Sequence, residues 1–225
     1  MMNLLRKFVQ HNWLAILYLN FRMLPLRQAI HLPIDIYHEI RFVNLTGRII
    51  IEAPTYWRGM VKMGTQGAEL FSVKNETILD IRGDLIIKGR FTSGVGTCFR
   101  VDDNATMIMG ENVIIGGLNL LFCSKCIELD AGFLSSWKCQ IMDTDTHPII
   151  DQLSQEEMPF ISPVHIGEHT WLCNGVTINK GTQIPANTIV ASHSLCNKDY
   201  TSVGTNCVLA GVPARAVARE KNWRI

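Results

Sequence analysis

Residues 164–194 read VHIGEHTWLCNGVTINKGTQIPANTIVASHS, and the spacing within this stretch decides the architecture. Every sixth residue is aliphatic: Ile166, Leu172, Ile178, Ile184, Val190. Four residues after each stands something small or β-branched: Thr170, Val176, Thr182, Thr188, Ser194. Glycine, asparagine or proline fills many of the places between, as at Gly167, Asn174, Gly175, Gly181, Pro185 and Asn187. Six residues do not return to one side of a 3.6-residue turn, so the pattern is not helical. A short strand with a tight corner accounts for it. The aliphatic residue and the one two places before it point inward, and glycine or asparagine takes the corner. Three such sides close a triangular coil, and coils stack with parallel strands, each covering the next.

Working outward, the six-residue spacing continues upstream through Leu79 and Leu85, then Ile108, Ile114 and Leu120. A shifted register carries Leu129, Ser135 and Ile141. The expectation is about seven coils over residues 62–212. Residues 1–61 are aperiodic, with prolines at 25, 33 and 54, and are expected to cap one end with a partly helical segment. After Pro213, Ala214, Ala216, Val217 and Ala218 predict a short helix within 213–225 that covers the last coil. An ordinary β-sandwich is the competing all-β reading, but it has no reason to keep a strict six.

Bulk properties narrow the function classes. The 225 residues are 47% hydrophobic and 18% charged, which suits one large core. A formal net charge of +1, from 21 basic and 20 acidic side chains with no long basic run, does not recommend nucleic acid. The seven cysteines show one metal-like spacing, Cys123 to Cys126. Without a second pair or ligand histidines this is a weak zinc signal. Reduced thiols packed as small hydrophobes point to the cytosol. The apolar run WLAILYL, residues 13–19, is too short to cross a bilayer. The first 24 residues are expected to form a helix that packs on the body or lies at a membrane surface.

One interruption stands out. After Ile141 the repeat yields to MDTDTHPIIDQLSQEEMPFISP and restarts at Ile166, setting an excursion at 142–164 on a rigid scaffold. His147 lies in it directly before Pro148, which restricts His147 to extended backbone. A histidine with a pKa near 6.5 suits removal of a proton from a hydroxyl. Asp143 and Asp145 stand beside it as residues that could orient the imidazole or bind acceptor hydroxyls; both also suit plain turn roles.

The segment VHIGEHTWLCNGVTINKGTQIPANTIVASHSLCNKD, followed by LAGVPARAV, resembles the hexapeptide-repeat acyltransferases. THPII followed by SPVHIGEHTW is similar to the branch containing maltose and galactoside acetyltransferases. The segment ILYLNFRMLPLRQAIHLPI looks more like sugar O-acetyltransferases of bacterial surface-polysaccharide pathways. The likeness covers about residues 78–217 and is fainter before them. It implies a left-handed parallel β-helix, a homotrimer, and acetyl transfer from acetyl-CoA as cosubstrate to a saccharide hydroxyl, with no metal required. It implies His147 as the general base. It also implies cofactor contacts from Trp171, Asn174, Ser192, Asn197, Lys198 and Arg215, and it places Asn119 near the acceptor-binding asparagine. Cys173, Ser192–His193 and Ala218 depart from the family pattern at individual cofactor positions. The implied location is cytoplasmic or at the inner face of the cytoplasmic membrane. Transfer to an amino sugar or small molecule, a metal-dependent hydratase and a non-catalytic β-helix scaffold stay open as alternatives.

Overall fold

The computed structural model describes residues 10–67 and 70–224. Three sheets of mostly parallel strands form the sides of a triangular prism. Among the described residues, face one has nine strands, face two seven and face three six. Strands i and i+3 are neighbours over most of the prism, so the chain visits the three faces in turn and rises one rung per circuit. Seven strands on face two agree with the expected number of coils.

The side chains that set the period fill the interior. Ile166, Leu172, Ile178, Ile184 and Val190 are at most 1% exposed, and Thr170, Val176, Thr182, Thr188 and Ser194 at most 2%. Buried hydroxyls need partners, and the corners supply them. Thr182 Oγ1 lies 2.6 Å from the Asn179 carbonyl and 3.0 Å from that of Cys196 and gives its one proton to either, and Thr188 Oγ1 donates to the carbonyl of Pro185 at 2.7 Å. A small hydroxyl residue therefore fits these inward positions beside the corner carbonyls.

Three expectations need correction. Upstream, the inward series is Met109, Ile115 and Leu121, all buried, whereas Ile108, Ile114 and Leu120 point outward. A slip of one residue flips every side chain of a strand to the other face. Aliphatic residues on both faces of these strands hide that slip in the sequence. Second, the coils start at Ile34, not near residue 62: Ile34–Ile36, Ile40–Leu45 and Arg48–Ile51 make the first circuit. An irregularity between Phe42 and Asn44 and a long corner over 52–60 break the spacing there. Third, the expected C-terminal helix is a strand. Ala214–Arg219 runs antiparallel to Cys207–Gly211, with Ala210 opposite Arg215. The parallel strand Cys207–Gly211 would otherwise present unpaired backbone groups, and pairing them outweighs the helix preference of the alanines. The last rung is covered as expected, by a different element.

At the other end the helix Trp13–Met23 packs across the first coil. Asn12 caps it by accepting the Ala15 N–H at 3.2 Å. Asn20 is fully buried and clamps the helix to the first strand. Its Nδ2 donates to the carbonyls of Ile16 and Ile34, both at 2.8 Å, and its Oδ1 accepts the Ile34 N–H at 3.1 Å. Part of the expected N-terminal helix falls on residues 1–9, outside the described residues. No helix among the described residues is long and apolar enough to cross a membrane.

Four thiols lie inside the prism, at Cys123, Cys139, Cys196 and Cys207. Burial pushes Cys139 up to about 11 and Cys196 up to about 12. Cys139 and Cys196 are therefore neutral packing elements at neutral pH.

Two outcomes follow. Leu121→Ala, at a fully buried position, lowers stability by about 2–5 kcal/mol, read from the urea midpoint. The raised thiols favour the folded state fully below the unfolded value of 9.0 and progressively less as pH rises toward about 12. Each costs about 1.4 kcal/mol per pH unit in that window, so urea midpoints fall above pH 9 and fall less in Cys139→Ala/Cys196→Ala.

Candidate active site

The excursion leaves the prism at the corner between faces two and three, between the strands Gln140–Met142 and Val164–Ile166. Its two ends zip together before it departs. Thr144 pairs antiparallel with Ile161, the Ser162 N–H donates to the Asp143 carbonyl at 2.9 Å, and the Asp145 N–H donates to that of Phe160 at 2.8 Å. Farther out, Ile149–Ile150 and Glu157–Met158 form a two-residue antiparallel ladder. Asp151 closes its tip by accepting the Leu153 and Ser154 N–H groups at 2.8 and 2.9 Å. Those backbone hydrogen bonds, Ser154 first and then Leu153, hold its carboxyl below the usual range.

Asp143 anchors this root. It is fully buried, and its carboxylate accepts three backbone N–H groups of the preceding rung. They come from Ser124 (2.6 Å), Lys125 (2.7 Å) and Cys126 (2.7 Å). A carboxylate so engaged has no free face for an imidazole or a sugar, so its expected catalytic role gives way to a scaffold role. Asp145 is tied to the rung beyond: its Oδ2 lies 2.7 Å from Lys180 Nζ. Lys180, which sequence reasoning did not single out, thereby fixes the loop from the next coil.

His147 is exposed, and its Nδ1 lies 2.9 Å from Thr146 Oγ1. The same hydroxyl lies 2.6 Å from the Asp145 carbonyl, which can only accept. A hydroxyl has one proton to give. With that proton on the Asp145 carbonyl, Oγ1 is placed to accept from a His147 Nδ1–H, which leaves Nε2 as the ring nitrogen available to another partner. Thr146 thus supplies the orientation expected of the aspartates. It does so at φ +66, a left-handed conformation that a β-branched residue seldom adopts. Nothing in the sequence signals that conformation.

The remaining expected residues divide between two corners. Asn197 and Lys198 stand exposed at corner two–three, the corner of His147, with Lys198 Nζ 5.4 Å above the Tyr200 ring. Trp171, Asn174, Ser192 and Arg215 gather instead toward corner one–two. Ser192 Oγ donates to Asn174 Oδ1 at 2.8 Å across adjacent coils. Arg215 lies opposite Ala210, and the next residue, Gly211, donates its N–H to Ser194 Oγ at 3.1 Å. Trp171 donates its indole N–H to Ser136 Oγ at 3.1 Å, and the Trp223 ring approaches it at 5.9 Å. Trp223 itself stacks on His169 at 4.4 Å, folding the tail back on the coils. Asn119, expected to meet the acceptor, is 3% exposed. Its Nδ2 faces the Gly116 carbonyl, Ser135 Oγ and the Ser136 carbonyl at 2.8–3.1 Å, and its Oδ1 accepts the Cys139 N–H at 2.5 Å. It is a corner fastener and does not reach solvent. Within one chain, then, His147 and most of the residues expected to meet a cofactor sit at opposite ends of face two.

No family model matches the chain. A Klebsiella pneumoniae protein, named only as an uncharacterized 24.8 kDa protein in the cps region, is 30% identical over 154 residues. The match covers 68% of this chain and 67% of that protein. The galactoside O-acetyltransferase of Escherichia coli K12 is 35% identical over 78 residues, 35% of this chain and 36% of that enzyme. A solved structure of the polysialic acid O-acetyltransferase OatWY is 24% identical, with a TM-score of 0.37, over 85% of this chain and 77% of that one. At that score the likeness carries no argument. The chain spans about a third of the galactoside enzyme it matches.

Because Asp143 satisfies three buried N–H groups, Asp143→Ala strands them and lowers stability by about 3 kcal/mol or more, read as a lower unfolding midpoint. His147→Ala, at an exposed position, leaves the midpoint unchanged within about 0.5 kcal/mol.

Proposed function

This chain belongs to the hexapeptide-repeat acyltransferases, and from that premise we propose that it moves an acetyl group from acetyl-CoA to a saccharide hydroxyl, with His147 as general base. The observation that carries this reading is the Thr146 hydroxyl beside Nδ1, which leaves Nε2 free to take a proton. A sugar hydroxyl is too weak an acid to ionise alone at neutral pH. Nε2 takes its proton as the oxygen attacks the thioester carbonyl, and the departing thiolate then receives a proton. No covalent link to the protein is needed, and the buried thiols with raised pKa are poorly suited to one.

The residues at corner one–two fit an elongated cosubstrate. Asn174 and Ser192 present polar groups on successive rungs, and Arg215 adds a cation suited to phosphate on the rung above. The separation of these residues from His147 supports a homotrimer. In such a ring, corner two–three of one subunit meets corner one–two of the next, and the histidine loop completes the neighbour's site. Lys198 then joins the phosphate-binding cations from across the boundary. Exposed Ile149 (57%), Leu153 (98%) and Met158 (53%) on the loop suit burial against that neighbour.

A role in surface-polysaccharide synthesis is supported by the Klebsiella relative, named for the cps region. The helix Trp13–Met23 exposes Leu14, Leu17, Tyr18 and Phe21. That outer face supports placement in the cytoplasm, resting against the inner face of the cytoplasmic membrane.

His147→Ala lowers acetyl transfer to a saccharide panel by about 10²–10⁴-fold with the oligomer intact; retained turnover overturns the assignment. Thr146→Val removes the lone pair that accepts from Nδ1–H and lowers kcat about tenfold with KM for acetyl-CoA unchanged, whereas Thr146→Ser restores kcat. Equal loss in both variants would mark Thr146 as a merely structural residue.

A further inference from the structure

The first coils carry a second polar site at corner three–one, three rungs before the one that bears the histidine loop. It is a hollow of about 520 Å³ between the long corner over 52–60 and the outer side of face one. Asp35, Lys62 and Thr92 stand in one outward row across the first three strands of that face. Asp35 points outward yet is only 6% exposed, because the corner folds over it. Gly59 makes this closure feasible. At φ +69, a Cβ there would lie 2.7 Å from Asp35 Oδ2.

The carboxylate of Asp35 is incompletely used. Oδ2 lies 3.4 Å from His11 Nε2, whereas Oδ1 is 3.7 Å from Arg58 Nη2, an ion-pair distance too long for a hydrogen bond. Oδ1 is buried with no hydrogen-bond partner. A buried acceptor in that condition costs free energy until a donor arrives. Around it stand more cations than Asp35 can neutralise. Arg58 pairs with it, but Lys62 and Arg90 have no carboxylate within 4.0 Å among the described residues. Trp57 lies beneath the Arg90 guanidinium at 5.5 Å and keeps 40% of its surface exposed.

A hydroxyl donor is wanted at Asp35, an anion at Lys62 and Arg90, and a flat apolar surface is offered by Trp57. One ligand class satisfies all three. We propose that this hollow binds an anionic sugar residue, its hydroxyl donating to Asp35, its negative group held by Lys62 and Arg90, and its ring against Trp57. Tyr37, Lys62 and Thr92 also wall the adjoining hollow, so a longer saccharide can continue along face one. The site extends the saccharide reading above by naming the acceptor's charge. Its test uses binding alone, so either reading can fail without the other.

Calorimetric titration of the full chain with glucuronic acid, glucose 1-phosphate, glucose and inorganic phosphate tests it. The anionic sugars bind at least about tenfold tighter than glucose, and glucose 1-phosphate at least about tenfold tighter than inorganic phosphate. Arg90→Gln and Lys62→Gln each weaken that binding about tenfold, Trp57→Leu weakens it as well, and His147→Ala leaves it unchanged. Tighter glucuronic acid assigns the site to a carboxylate-bearing polymer unit, and tighter glucose 1-phosphate to a phosphorylated sugar. Equal affinity for glucose, equal affinity for bare phosphate, absence of binding by either anionic sugar, or folded variants that bind like the parent overturns the proposal.

Discussion

Each rung of this prism is stable only against the rung above and below it. A side six residues long is too short to bury its aliphatic residue alone, and two-residue strands such as Trp171–Leu172 and Thr177–Ile178 have no independent stability. The ladder between coils supplies both backbone hydrogen bonds and apolar cover. This constraint closes the interior to chemistry. Inward positions must be aliphatic or small hydroxyl residues whose hydrogen bonds end on corner carbonyls, as at Thr182 and Thr188. Corners are where chain can be inserted without cutting the ladder. The excursion after Met142 obeys that rule: parallel pairing resumes at Val164 with Ile127 opposite it.

Burial then sorts polar residues of one type into different work. Asp143 and Asp145 stand two positions apart, but one faces the prism and the other the loop. A fully buried carboxylate must be satisfied locally, and three backbone N–H groups satisfy Asp143. Asp145, half-buried, spends its charge on Lys180 from the next coil. The aspartates set the position of the loop root, and the Thr146 hydroxyl contacts the imidazole. Asn119 shows the same logic at another corner, since its side chain is consumed by fastening adjacent rungs.

How much of this the sequence reveals depends on whether a feature is periodic. The coils from Ile166 onward are legible because corner and core residues recur together. The slip at Ile108, Ile114 and Leu120 arises because aliphatic residues occupy both faces there, so spacing fixes the period but not the phase. The first circuit is hidden by the irregularity near Phe42 and the long corner that follows. The C-terminal strand defeats local propensity because a tertiary demand, an open parallel edge, decides it. In the candidate site, the loop that carries His147 is legible from the break in the repeat. The hydroxyl that orients the histidine is not, because it depends on a left-handed conformation at Thr146.

Outward positions carry the remaining freedom. On face one a single register runs from Asp35 through Lys62, Thr92, Ile114 and Leu134 to Trp171. None of these side chains helps to fill the core, so the fold tolerates any residue type in the row. Yet the row is ordered, charged over its first two rungs and apolar over the last three. The inward neighbours Val61, Phe91 and Val113 are apolar throughout, and the inward Ser93 and Ser135 do not follow the outward gradient. A negatively charged chain lying along the face would meet cations near one end and ring or aliphatic surface toward the other. A scaffold built only to stack would have no use for a buried carboxylate oxygen left without a donor at Asp35.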